Sequence, residues 1–125
     1  MDLQRQIDYW RSGAEEDLAA ARSLLEKEHL RHALFFAHLA VEKILKAHVV
    51  RHTTRIPPPI HNLARLAEIA GLSLDAELID LLRDFNVYQI EGRYPGAAEI
   101  PLDLNTSRRD LGWAEKMVEM LSAKL

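Results

Sequence analysis

Hydrophobic positions along the chain recur at helical spacing almost from end to end, and they are densest between Ala33 and Val50. Advancing 100° per residue there puts Leu34, Phe36, Ala37, Ala40, Val41, Ile44, Leu45 and Ala47 on one broad arc, wider than a single contact stripe. This pattern predicts a helix touched from several sides. Glu42, Lys43 and Lys46 fall on the opposite side, with Phe35, Leu39 and Val50 among them. Those apolar side chains need a cover, either another helix of the chain or a second copy of it.

Upstream, Ile7, Trp10, Ala14, Leu18, Ala21 and Leu25 form one stripe and predict a first long helix from about Leu3 to Lys27. Asp17 lies at its edge, where a half-buried carboxylate needs a cation or donors. The short break at Glu28 to Leu30 makes the two long helices antiparallel neighbours. The second ends near Arg51 or His52. Ile56-Pro57-Pro58-Pro59-Ile60 then forms a stiff extended connector that delivers His61 and Asn62 in a fixed direction. Asn62 caps a third helix, Leu63 to Ala70, closed by Gly71. Ser73 caps a fourth that carries Leu74, Leu78, Leu81, Leu82 and Phe85 and ends near Gln89. Glu91 to Gly96 reads as an ordered turn that opens a loop to Leu104. Thr106 or Ser107 begins a last helix with Leu111, Ala114, Met117, Val118, Leu121 and Leu125 inward. The expectation is an all-α, up-and-down bundle of about five helices around two long antiparallel ones, in a single domain over residues 1–125.

Composition narrows the chemistry. The chain has no cysteine, which excludes disulfides, thiolate metal sites and cysteine nucleophiles. No stretch predicts a secretory leader or a membrane span, so the expected location is the cytoplasm. A net charge of −3 argues against a surface that coats nucleic acid everywhere. The charge is uneven, however: from Lys43 to Ala67 there is no acid, while Lys43, Lys46, Arg51, Arg55 and Arg65 alternate with His48, His52 and His61. That segment is either a solvated basic edge or an anion-binding one.

Glycine-rich phosphate loops, HExxH and nucleophile elbows are missing. His48 and His52 share a helix face but lack further ligands, and no metal or cofactor is expected. Arg31 and His38 also share a face, at the entry of the second helix. The strongest pairs are Arg55 with His61 and Arg93 with Tyr94, since guanidinium clamps phosphate and imidazole moves protons near neutral pH. The structural alternative has His61 capping a helix and Arg93 paired with Asp17.

Trp10, the Ala14 to Leu18 segment with Asp17, Ala40-Val41-Glu42-Lys43-Ile44-Leu45-Lys46-Ala47, Pro59-Ile60-His61-Asn62-Leu63 and Gly92-Arg93-Tyr94-Pro95 follow one another in an order that resembles the HEPN domain family, in its small stand-alone prokaryotic branch. The resemblance implies a helical bundle that associates as a homodimer, binds a nucleotide or RNA, and works with a minimal nucleotidyltransferase in a toxin–antitoxin-like pair. On this reading Lys43, Lys46, Arg51, Arg93 and Tyr94 contact the ligand. It also implies an alternative, a metal-independent ribonuclease with Arg55 and His61 in a composite dimer site. Ribonucleases of the family place a polar residue after the arginine, whereas here Ile56 and three prolines stand between Arg55 and His61. A third reading is a purely structural partner protein.

Overall fold

The computed structural model describes residues 2–98 and 100–125. Six helices follow one another: α1 (Leu3–Glu26), α2 (Leu30–Thr53), α3 (Leu63–Ile69), α4 (Ala76–Phe85), α5 (Val87–Arg93) and α6 (Leu104–Ala123). No strand occurs among the described residues. The fold is the expected all-α bundle, with the fourth helix of the sequence reading divided in two.

Helix starts are set by side-chain oxygens that accept orphan backbone N–H groups. Asp2, Asn62, Asp75 and Asp103 accept from the N–H of Arg5, Arg65, Leu78 and Thr106 at 3.0, 3.1, 2.9 and 2.8 Å. Two starts therefore differ from the sequence reading: Asp75 caps α4 in place of Ser73, and Asp103 starts α6 before Thr106. At the other end of α2, Thr54 takes a left-handed φ of 59° and donates its N–H to the Val50 carbonyl at 2.8 Å, which stops the helix ahead of the prolines.

α2 lies at the centre and packs against α1, α3, α5 and α6. Leu34, Ala37, Ala40, Val41, Ile44, Leu45 and Ala47 of the expected arc are all buried, and Phe36 is half-buried against the core. Val50, on the mixed side, is covered by Ile7 of α1 with Trp10 and Leu125 beside it. Its cover is therefore this chain rather than a second copy, whereas Phe35 and Leu39 remain half-exposed.

α4 and α5 meet at Asn86. Its side-chain oxygen accepts from the Leu63 N–H at 2.9 Å, and its amide nitrogen donates to Asn62 Oδ1 at 3.2 Å. The junction is thereby tied to the start of α3. α4 packs on α3, while α5 turns onto α2 and carries Glu91 to Arg93, expected in a turn, as helix.

Candidate functional site

Phe35, Leu39, Glu42 and Lys46 follow one another up one face of α2 at helical spacing. Glu42 is the hub. Its carboxylate, only 5% exposed, accepts from Lys46 Nζ at 3.0 Å on one oxygen and from His61 Nδ1 at 3.0 Å on the other. His38 Nδ1 lies 3.8 Å from the latter oxygen, too far for a hydrogen bond but close enough for a Coulombic contact. The Lys46 ammonium, 7% exposed, also sits 5.4 Å from the centre of the Trp10 ring, a cation–π contact that shields it from water.

The proline connector presses His61 into this network from outside. Pro57 is buried, Ile60 N–H bonds back to the Pro58 carbonyl at 2.8 Å, and Asn62 then opens α3. The cap is Asn62 rather than His61. The His61 side chain keeps 40% exposure while Glu42 holds its Nδ1, so Nε2 is the ring nitrogen left for a ligand.

His38 lies behind them, fully buried, with Nε2 3.3 Å from Asn86 Oδ1 and its ring stacked on Phe85. Burial pushes its pKa down to about 4 against an opposing pull from Glu42, and the charges of His61 and Arg93 lower it further. The charges of Arg93 and His61 thus act on one buried imidazole from different elements.

Arg93 ends α5 exposed. Its Nε donates to Gln89 at 3.2 Å, and its guanidinium lies 5.4 Å from the Phe35 ring centre. Tyr94 follows at 67% exposure. The loop beyond them is folded back by Glu91, whose buried carboxylate accepts from the N–H groups of Gly96 at 2.9 Å and Ala98 at 3.2 Å. Gly92 lets α5 pack closely on α2, because a Cβ there would run into the Phe35 ring and stand 2.7 Å from Phe35 Cβ. Gly92→Ala should accordingly lower stability in urea unfolding by about 1 to 3 kcal/mol through overpacking. The control Gly112→Ala, with nothing within 4 Å of its Cβ, should be neutral or stabilising. Equal effects at the two positions would mean that α5 does not depend on the gap.

Other expected contacts lie elsewhere. Asp17 pairs with Lys43 Nζ at 2.8 Å, not with Arg93; the contact is close but off the hydrogen-bond axis. The antiparallel register of α1 and α2 brings Lys43 past Gly13 to reach it, where an added Cβ would stand 3.0 Å from Lys43 Cδ. Lys46 is enclosed by Glu42 and Trp10. Arg51 is exposed, 160° around α2 from Phe35 if each residue turns about 100°, and its charge acts on His48 together with those of Lys124 and Arg11. Arg55 borders an open groove lined by Val49, Ile56, Pro58 and Ile69. Among the described residues no hydrogen bond or ion pair joins it to His61. His48 bonds the Leu121 carbonyl at 2.7 Å, and among the described residues no group of three potential metal-ligating side chains is gathered.

The sequence reading missed Glu42, Asn86 and Glu91 as site-builders, and set His38 beside Arg31 where the structure sets it beside Glu42 and Asn86. One signal was available: His38, Glu42 and Lys46 recur every fourth residue along α2, a spacing that stacks them on one face.

The profile of the HEPN domain matches residues 7–124. The chain belongs to the HEPN domain family. Among solved structures, this HEPN chain is similar to the crystal structure of TT1696 from Thermus thermophilus, at 22% identity and a TM-score of 0.79, over 96% of this chain and 98% of that one. At that identity the likeness shows the shared HEPN fold. Among curated proteins none matches. No described helix is long and apolar enough to cross a membrane.

Proposed function

We propose that this HEPN chain is a cytoplasmic nucleotide- or RNA-binding module whose ligand lies across His61, Arg93 and Tyr94. One observation carries the reading: the charges of Arg93, at the end of α5, and of His61, held by Glu42 on the proline connector, both act on buried His38, and the exposed Tyr94 ring follows Arg93 directly in the chain. A guanidinium fork matches a phosphate, and an exposed aromatic face stacks on a base. Lys46 neutralises Glu42, so the buried carboxylate does not repel an anion at the surface.

The half-exposed Phe35 and Leu39 of α2 and the exposed Ile90 of α5 support association with a second copy. Family membership supports a minimal nucleotidyltransferase as partner in a toxin–antitoxin-like pair, which copurification with that protein checks. A ribonuclease reading is favoured by the His61–Glu42 contact, since a carboxylate that orients imidazole suits it for proton transfer.

Fluorescence anisotropy with a short single-stranded RNA, in chelator, tests the binding module. Arg93→Ala and Tyr94→Ala should each weaken binding by about 1 to 3 kcal/mol, and Arg55→Ala should leave it nearly unchanged. Loss on Arg55→Ala with retention in the other two would move the site to the far end of the connector. Cleavage in chelator that disappears in His61→Ala while binding persists would establish the ribonuclease instead.

A further inference from the structure

A cavity of about 360 Å³ opens between α4, α5 and α6, away from the face just described. That volume falls in the range of small-molecule sites. Its walls are aromatic. The Phe85 ring centre lies 4.9 Å from that of Tyr88, at 78° between planes, and 5.0 Å from that of Trp113, at 35°. His38 stacks on Phe85 from the core side, so the rings are braced before any ligand arrives. Trp113 is only half-buried.

The charged groups at this cavity are two carboxylates and one guanidinium. Asp110 accepts a hydrogen bond from the Tyr88 hydroxyl, which satisfies a phenol that burial would otherwise strand. Arg109 touches the other Asp110 oxygen through Nε at 3.2 Å, yet its side chain is largely in solvent and its contact is with its own chain neighbour. Asp84 makes no hydrogen bond or ion pair among the described residues, and it stands in the last turn of α4, where the helix dipole disfavours an acid. Packing accounts for the rings and for Asp110; Asp84, exposed at the rim of the cavity, adds an acid whose charge no ion pair offsets among the described residues.

We propose that this cavity binds a small organic ammonium cation, attracted by the ring faces of Trp113 and Tyr88 and neutralised by Asp84 and Asp110. Ring quadrupoles draw cations to their faces, and more strongly where water is excluded. The excess of one carboxylate over Arg109 sets the sign of the preferred ligand. Entry of the cation releases Arg109 from Asp110 to solvent. The site is independent of the nucleotide-binding face and stands or falls separately.

Choline and its neutral isostere 3,3-dimethyl-1-butanol, titrated by calorimetry and by the indole N–H resonance of Trp113, test the assignment on the full chain. Trp113→Phe identifies which of the two tryptophan signals is Trp113. Choline should saturate and shift that resonance, while the isostere binds at least about fivefold more weakly. Asp84→Asn should weaken choline by about two- to fivefold, and Arg109→Ala should tighten it by a similar factor. Both positions are exposed, so the fold tolerates the changes. Equal binding of the isostere would reduce the site to an apolar cavity. A response to adenosine but not to choline would reassign it to a base, and an unshifted resonance at saturating millimolar choline would remove it.

Discussion

Glu42→Ala should lower the unfolding free energy by about 3 to 5 kcal/mol, the usual consequence of leaving a buried charge without its partner. Lys46 would keep its ammonium under the Trp10 ring, almost without water, facing no anion. His61 would lose the acceptor that fixes its ring. The opposite result is expected when both charges go: Glu42→Leu with Lys46→Met fills the space and should recover most of the loss, since apolar replacement of a buried pair is often neutral or better. Urea unfolding of the wild type, the single and the double variants checks both. A loss under about 1 kcal/mol in Glu42→Ala would show that Lys46 reaches water. The double variant should remain deficient in RNA binding even when stable, because His61 is then unheld.

Acid should act on the chain through His38 with an effect of similar size. Its folded-state pKa is about 4 against an ordinary 6.5, so the unfolded chain binds the proton first as pH falls. Stability is therefore full above about pH 6.5, declines by about 1.4 kcal/mol per unit below it, and has lost about 3 kcal/mol when the pH reaches the folded value near 4. His48, whose pKa burial also lowers, adds a decline of the same sign. Asp103 works in the other range: the Thr106 N–H and hydroxyl hold its pKa below 3.8, so its contribution fades only in stronger acid. Unfolding midpoints measured from pH 7.5 to 4.5 should fall steeply in the wild type and more shallowly in His38→Gln. Parallel curves would mean that His38 gains a proton without leaving its site.

The long helices and the inward faces were legible because each apolar side chain reports its own burial through spacing, as the arc from Leu34 to Ala47 shows. Asn62 and Gly71 were legible for the same reason, since a cap acts on backbone within a turn of itself. Ser73 and Asp75 are both good caps, and the choice fell to Asp75 because Leu74 packs on the core ahead of the helix. The break at Asn86 had no local signal; its partners are Asn62 and the Leu63 N–H, distant in sequence. For Asp17 the need for a cation was readable, but which cation depended on the register between α1 and α2. For Glu42 and Lys46 the sequence showed a side of α2 that needed a cover, but not what covers it, because Trp10 and the proline connector reach that side from elsewhere in the chain.

The division at Asn86 also bears on how the chain can change over generations. An unbroken helix from Ala76 to Arg93 would run straight for about 27 Å, and α5 could not turn from α3 onto α2. Arg93 therefore owes its place to an asparagine seven positions earlier that touches no ligand, and that asparagine in turn is held by Asn62. Positions 62 and 86 are coupled through this bond, so a substitution at either alone is expected to shift Arg93 and Tyr94, and descendants that keep the binding face are expected to alter the two together or leave both untouched.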